Sequence, residues 1–229
     1  MTNHWHSSEK FNRQAEGWDD NPRRLAIAEA VFKALAEAVQ FTERTEALEF
    51  GCGTGLVTMQ VAPRVRKVTA IDTSHRMLGV LEGKIMATGT KNIDSRCLDL
   101  TVPDEMRRLP KGHFNVIYAS MTLHHIDDTS SFLQELSELL APGGTLAMAD
   151  LDLEDGFFHD DADEKVHPGF ERPALAAMLL AAGLQNPTFR TAATIEKKNR
   201  TGREASYPIF LATATKPEAS KEQPESAAE

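Results

Sequence analysis

A chain of 229 residues with 41% hydrophobic content is long enough for one α/β domain with a substantial core, and a second full domain would be cramped. The formal net charge of −9 and the pI near 5.4 exclude a general phosphate-backbone binder, whose affinity rests on clustered Lys and Arg. Cys52 and Cys97 cannot build a disulfide framework or a cysteine metal site, and no stretch approaches the ~18 apolar residues of a membrane span, so a soluble, cytoplasmic protein is expected.

Phe11 to Asp20 is polar but carries Phe11 and Trp18, two large anchors that fit a mobile N-terminal flap at residues 1–20. Asn21 then caps a helix with Pro22 at its first position. Its apolar residues Leu25, Ala28, Val31, Phe32, Leu35 and Val39 recur at helical spacing to about Gln40. From Glu46 the pattern alternates. Strands are predicted at Ala47 to Phe50, Lys67 to Ile71, Ile93 to Leu98, Phe114 to Ser120 and Thr145 to Leu151. Helices fall from Leu56, at Ser74 to about Ala87, and at Ser130 to Leu140. Such alternation means a parallel sheet with helices on its faces. The rhythm breaks at Leu153 to Gly169, which is acidic and irregular. A helix follows from Arg172 to Ala182, ended by Gly183, and then strands at Thr188 to Ile195 and Tyr207 to Thr215, joined as a hairpin. Residues 216–229 hold no large apolar side chain and cannot repay the entropy of ordering, so a disordered tail is expected after a domain at 21–215.

The stretch Ala47-Leu-Glu-Phe-Gly-Cys-Gly-Thr-Gly-Leu-Val-Thr58 carries the chemistry. Gly51, Gly53 and Gly55 remove Cβ at three alternate positions, so the backbone can turn sharply and come close to a ligand. A helix opening at Leu56 would add free N-terminal amides for an electron-rich group. A nicotinamide-dinucleotide turn needs Gly-x-Gly-x-x-Gly, and Leu56 or Thr58 occupies the third glycine's place in either register. What stands there, Glu49-x-Gly51-x-Gly53-x-Gly55 after an apolar strand, resembles the first motif of class I S-adenosylmethionine-dependent methyltransferases. Later landmarks follow in that family's order: Val68-Thr-Ala-Ile-Asp72, Arg96-Cys-Leu-Asp-Leu100, Phe114 to Ser120 with Leu123-His-His-Ile126, and Leu139-Leu-Ala-Pro-Gly-Gly-Thr-Leu146. Within that family the chain resembles small-molecule enzymes with a type 11 methyltransferase domain.

The resemblance implies a Rossmann-like three-layer sandwich around a seven-stranded, mostly parallel sheet with a reversed last strand. S-adenosylmethionine, leaving as S-adenosylhomocysteine, is the implied cofactor, held by a core at 45–151. Glu49, Gly51, Gly53 and Gly55 would serve the methionine end, Asp72 the ribose hydroxyls, Asp99 and Leu100 the adenine, Thr73 and Met77 the flanks, and Ser120 the floor under the sulfonium. The implied reaction is an SN2 methyl transfer to O, N, S or activated carbon of a small molecule, with no nucleic-acid or membrane partner and no metal. His124 and His125 are candidate general bases, or else pocket lining. Residues 152–185 would roof the acceptor site. There Trp18, Phe157 and Phe158 are the candidate acceptor contacts, and a solvated acidic loop is the other reading of Leu153 to His167. A cofactor-binding protein without turnover, or a nicotinamide-dependent oxidoreductase, are the competing functions.

Overall fold

The short apolar runs around Leu48, Val68, Ile117 and Met148 leave almost no exposed surface, which requires strands covered on both faces. The computed structural model, which describes residues 8–219, shows this arrangement. The expectations placed on residues 1–7 and 220–229 lie outside the described residues. Strands β1 (Glu46–Phe50), β2 (Lys67–Asp72), β3 (Ile93–Cys97), β4 (Phe114–Ser120), β5 (Leu140–Leu151), β6 (Gln185–Lys198) and β7 (Glu204–Thr215) form one sheet in the order β3-β2-β1-β4-β5-β7-β6. The pairings among β1 to β5 are parallel, and β7 runs antiparallel to both β5 and β6. The expected seven-stranded, mostly parallel sheet with its last strand reversed is therefore present.

The helices are α1 (Ser8–Gln14), α2 (Pro22–Ala38), α3 (Thr58–Val61), α4 (His75–Thr88), α5 (Pro103–Met106), α6 (Thr129–Leu139) and α7 (Arg172–Ala181). Strand alternation divides the core into two layers. Phe132, Leu133 and Leu136 of α6 and Leu175 and Leu179 of α7 pack with Leu48, Ile117 and Phe210 on one face. Val31 and Leu35 of α2 and Leu78 and Leu81 of α4 pack with Val68, Tyr118 and Leu211 on the other. The caps are those the sequence signals: Asn21 accepts the Arg23 N–H ahead of Pro22, Ser74 accepts the Met77 N–H, and Gly89 closes α4 in the left-handed region. No helix among the described residues is long and apolar enough to cross a membrane.

Several boundaries differ from expectation for physical reasons. The helix predicted from Leu56 begins only at Thr58 and lasts one turn. Leu56 and Val57 belong to a turn, and Pro63 has no N–H to continue the ladder. A strong helix N-terminus behind the glycines is therefore not what this site offers. Strand β5 starts at Leu140 rather than Thr145, with Pro142-Gly-Gly144 accommodated by a shift in register against β4. Residues 8–20, expected as a flap, contain α1 and are fastened down. The Asn12 side chain accepts the Ser74 hydroxyl at 2.7 Å, and Asp19 accepts the Thr54 hydroxyl at 2.6 Å. Lys216, placed at the head of the disordered tail, is also held, since its ammonium donates to the carbonyls of Ser137 and Leu140 at 2.8 Å each.

Candidate active site

Strand order reverses between β1 and β4, and a crevice opens beyond the carboxyl ends of the strands where chains leave the sheet to opposite sides. A cavity of about 610 Å³ occupies this crevice. That volume is in the range of small-molecule sites.

The glycine turn forms its floor, and its three glycines have different jobs. A Cβ on Gly51 would lie 2.3 Å from Thr122, and one on Gly55 would lie 2.4 Å from Leu81 of α4, whereas a Cβ on Gly53 would meet nothing within 4 Å. Gly51 is thus needed for close packing under β4. Gly55, expected at the cofactor, faces α4 and does not line the cavity. Gly53 lines open space, and its N–H donates to Asp72 Oδ2 at 2.7 Å. The other oxygen of Asp72 accepts the Ser74 N–H at 2.8 Å, so the carboxylate at the end of β2 is fixed by two backbone amides. Asp99 is fixed in a similar way, its Oδ1 accepting both the N–H and the hydroxyl of Thr101 at 2.9 and 2.6 Å. Thr73, Met77, Leu100 and Ser120 complete this end of the wall as expected from their positions. Next to Ser120, Met121 adopts a left-handed φ of 56°, a strained conformation for a side-chain-bearing residue, held by its N–H bond to Ala149 O at 2.8 Å.

Glu49 reaches the cavity wall but is 2% exposed, and its Oε2 accepts the hydroxyls of Thr58 at 2.5 Å and Tyr118 at 2.9 Å. Burial pushes its carboxyl up to about 7, against those two hydrogen bonds, which act to lower it. Its immediate role is to tie β1, β4 and α3 together beneath the turn.

At the other end, His124 and His125 follow β4, with ring centroids 4.2 Å apart. They differ in their partners. His124 is 2% exposed, and its Nδ1 lies 2.7 Å from Oδ1 of Asp150, a residue with no exposed surface at the end of β5. A carboxylate accepts only, so Nδ1 carries a hydrogen, and in the neutral imidazole Nε2 keeps its lone pair. The same carboxylate accepts the backbone N–H groups of His124 and Leu151 at 3.2 and 2.7 Å. His125 lies edge-on to Phe11 of α1, centroids 5.5 Å apart. Asp150 was absent from the sequence-derived candidates. Its signal was an acid inside Ala-Met-Ala-Asp-Leu, an apolar strand where a buried charge must be partnered.

The segment between β5 and α7 closes the cavity from above. Phe158 lines it and packs edge-on to Tyr207, centroids 5.1 Å apart, while Trp18 lines it from the N-terminal side under the Arg24 guanidinium, 3.6 Å from its ring. Phe157 does not line it. Its ring packs with Arg200 of the β6–β7 turn at 5.2 Å, because two Phe in an irregular segment take opposite sides. Lys10, His159, Glu164 and Lys197 line the same end, and of these only His159 and Glu164 stood in the segment singled out from sequence. His167 turns to the carbonyl of Ile126, 2.9 Å from its Nε2.

Residues 48–148 match the methyltransferase domain family. An uncharacterized methyltransferase of Schizosaccharomyces pombe is 31% identical over 150 residues, covering 61% of this chain and 53% of that protein. The ubiquinone biosynthesis O-methyltransferase of Dechloromonas aromatica is 27% identical over 154 residues, covering 62% of this chain and 61% of that one. The chain thus spans 53% and 61% of the length of these two curated relatives. Among solved structures, the N-methyltransferase NodS of Bradyrhizobium japonicum, in complex with S-adenosylhomocysteine, superposes with a TM-score of 0.66 at 18% identity, covering 94% of this chain and 100% of that one. That likeness speaks for the fold, and the family match speaks for the core within it. Over residues 48–148 this chain matches the methyltransferase domain family, and its fold is that of a solved methyltransferase holding S-adenosylhomocysteine.

Proposed function

We propose that the protein transfers a methyl group from S-adenosylmethionine to a hydroxyl oxygen of a small-molecule acceptor, with His124 receiving the hydroxyl proton. One observation carries this reading: a single cavity joins Gly53, Asp72 and Asp99 at one end to His124, His125 and Phe158 at the other. The cofactor end fits the group. Gly53 leaves a cradle that any side chain would fill, Asp72 offers the paired acceptor oxygens a ribose diol requires, and Met77 and Leu100 supply apolar walls for a flat base. When bound there, S-adenosylmethionine supplies an electrophilic methyl carbon on a sulfonium.

The acceptor end supplies the base. With Nδ1–H donated to Asp150, His124 presents Nε2 as a proton acceptor, in the nucleophile–base–orienter order that activates a hydroxyl. As the acceptor oxygen's electron pair forms the new bond to the methyl carbon, the carbon–sulfur bond would break with its electron pair kept by sulfur, and His124 Nε2 would take the acceptor's proton and pass it later to solvent. Asp150 stabilises the resulting imidazolium. Of the two candidate bases the role falls to His124, because the Asp150 carboxylate orients that imidazole. Names among the relatives, such as the ubiquinone biosynthesis O-methyltransferase, agree with oxygen as the acceptor atom. The two free cysteines suit work in the cytoplasm.

Incubation with methyl-labelled cofactor and a panel of phenols, alcohols, amines, thiols and carboxylic acids tests the reading. Label is expected on phenols or alcohols. Label on amines or thiols alone would refute the acceptor assignment, and cofactor binding with no product across the panel would favour a binding protein without turnover.

A further inference from the structure

His159 is placed by contacts that its neighbours in sequence do not reveal. Lys197 of β6 has a side chain only 10% exposed, and its ammonium donates to the Phe158 carbonyl at 2.6 Å, fixing the backbone just ahead of His159. The imidazole lies between the Phe158 ring and the His124 ring, with both centroids 5.1 Å away. Its Nδ1 faces Glu164 Oε2 at 3.3 Å, and the same oxygen accepts the Lys10 ammonium of α1 at 2.6 Å. Burial acts to raise the Glu164 carboxyl, but the hydrogen bonds from His159 and Lys10 prevail and bring it down to about 2, so it stays ionised. A carboxylate accepts only, which puts a hydrogen on Nδ1, and in the neutral imidazole Nε2 then keeps a lone pair. Among the described residues that Nε2 is buried with no hydrogen-bond partner. Buried polar atoms in folded proteins are nearly always paired, and an unpaired one in the wall of a binding cavity points to a partner that arrives with the ligand.

We propose that His159 is a second recognition point for the acceptor: its Nε2 takes a hydrogen bond from a hydroxyl or amine next to the hydroxyl that His124 deprotonates. The acceptor is then a diol or an amino alcohol, aliphatic or aromatic. The spacing sets the class. The two imidazole centroids are 5.1 Å apart, a separation that polar groups on neighbouring carbons of one molecule, or one carbon further apart, can bridge. The inference rests on the methyl-transfer reading above and adds substrate selection to it. Lys10 and Glu164 are positioning residues here, holding the imidazole without touching the acceptor.

The test is a calorimetric titration of the protein loaded with S-adenosylhomocysteine, using matched probes: cyclohexanol against vicinal cyclohexanediol, and phenol against ortho-dihydroxybenzene. In wild type the diol of each pair should bind about tenfold more tightly than its partner, as one buried hydrogen bond gained would give. The preference should vanish in His159→Phe and return in part in His159→Gln, whose amide oxygen can accept, while affinity for S-adenosylhomocysteine stays level in all three. Equal affinity within each pair in wild type, including no binding of either, overturns the proposal, as does a preference that survives in His159→Phe. Should His159→Phe lose S-adenosylhomocysteine through misfolding, the wild-type comparison and His159→Gln decide. Absence of S-adenosylhomocysteine binding by wild type would instead overturn the methyl-transfer reading itself.

Discussion

Asp150→Asn removes one charge, keeps the shape, and separates the proposed base from its orienter. The carboxylate has no exposed surface and accepts three N–H groups: Nδ1–H and backbone N–H of His124, and backbone N–H of Leu151. An asparagine has one acceptor atom and one donor group in the same places. If its oxygen keeps the side of Nδ1 and Leu151, its amide hydrogens face the His124 backbone N–H, donor against donor. If it is flipped, the amide faces the imidazole and drives the hydrogen from Nδ1 to Nε2. The first arrangement leaves buried donors unsatisfied at about 1–3 kcal/mol. The second turns Nε2 into a donor that cannot take the acceptor's proton, and the expected loss is that of general-base catalysis, roughly 10²–10⁴ in kcat. The assay is single-turnover methyl transfer to a hydroxyl acceptor across pH, with calorimetric cofactor titration in parallel. Cofactor affinity should hold while the rate falls and its pH dependence flattens. An unchanged rate and pH profile in Asp150→Asn would refute the relay and leave His124 as pocket lining.

Three further outcomes follow from the geometry. Gly53→Ala should fold with a cost of about 1–2 kcal/mol for its left-handed φ, yet lose most cofactor affinity, because its methyl enters open cavity space. Gly55→Ala adds a clash with Leu81 to the same backbone cost, so its melting temperature should fall further, and a thermal melt with and without S-adenosylhomocysteine separates the two. Glu49 makes stability depend on pH. Its folded carboxyl titrates at about 7, above the ordinary 4.5, so between those values the folded state holds the extra proton and stability falls as pH rises through the window. The loss is of order 3 kcal/mol by about pH 8, and Glu49→Gln, which stays neutral and keeps an oxygen for Thr58 and Tyr118, should flatten that slope in denaturant titrations.

What could be read from the sequence was local. Gly51 to Gly55 and Asp72 each sit at the end of a strand whose apolar run announces it, Asp99 follows the more polar β3, and strand ends converge at the crevice of any such sheet. The residues missed reach the cavity from a distance along the chain. Asp150 meets His124 across two strands, and Glu164 meets Lys10 across 154 positions, a pairing no spacing rule foresees. Phe157 was misassigned because an irregular segment has no period to say which of two adjacent rings turns inward. The helix expected at Leu56 failed for a related reason, since Leu56 and Val57 are apolar as the packed end of a loop rather than as a helix face.

The proposed binding of a sulfonium nucleoside in the crevice around Gly53 and Asp72 is tested most directly by calorimetric titration of S-adenosylmethionine into wild type and Asp72→Ala. Saturable binding at one site per chain is expected in wild type. Removing the carboxylate proposed to meet the ribose hydroxyls should weaken it at least tenfold, the worth of roughly one charge-assisted hydrogen bond. No heat of binding to wild type at millimolar S-adenosylmethionine, or equal affinity in Asp72→Ala, would contradict the account.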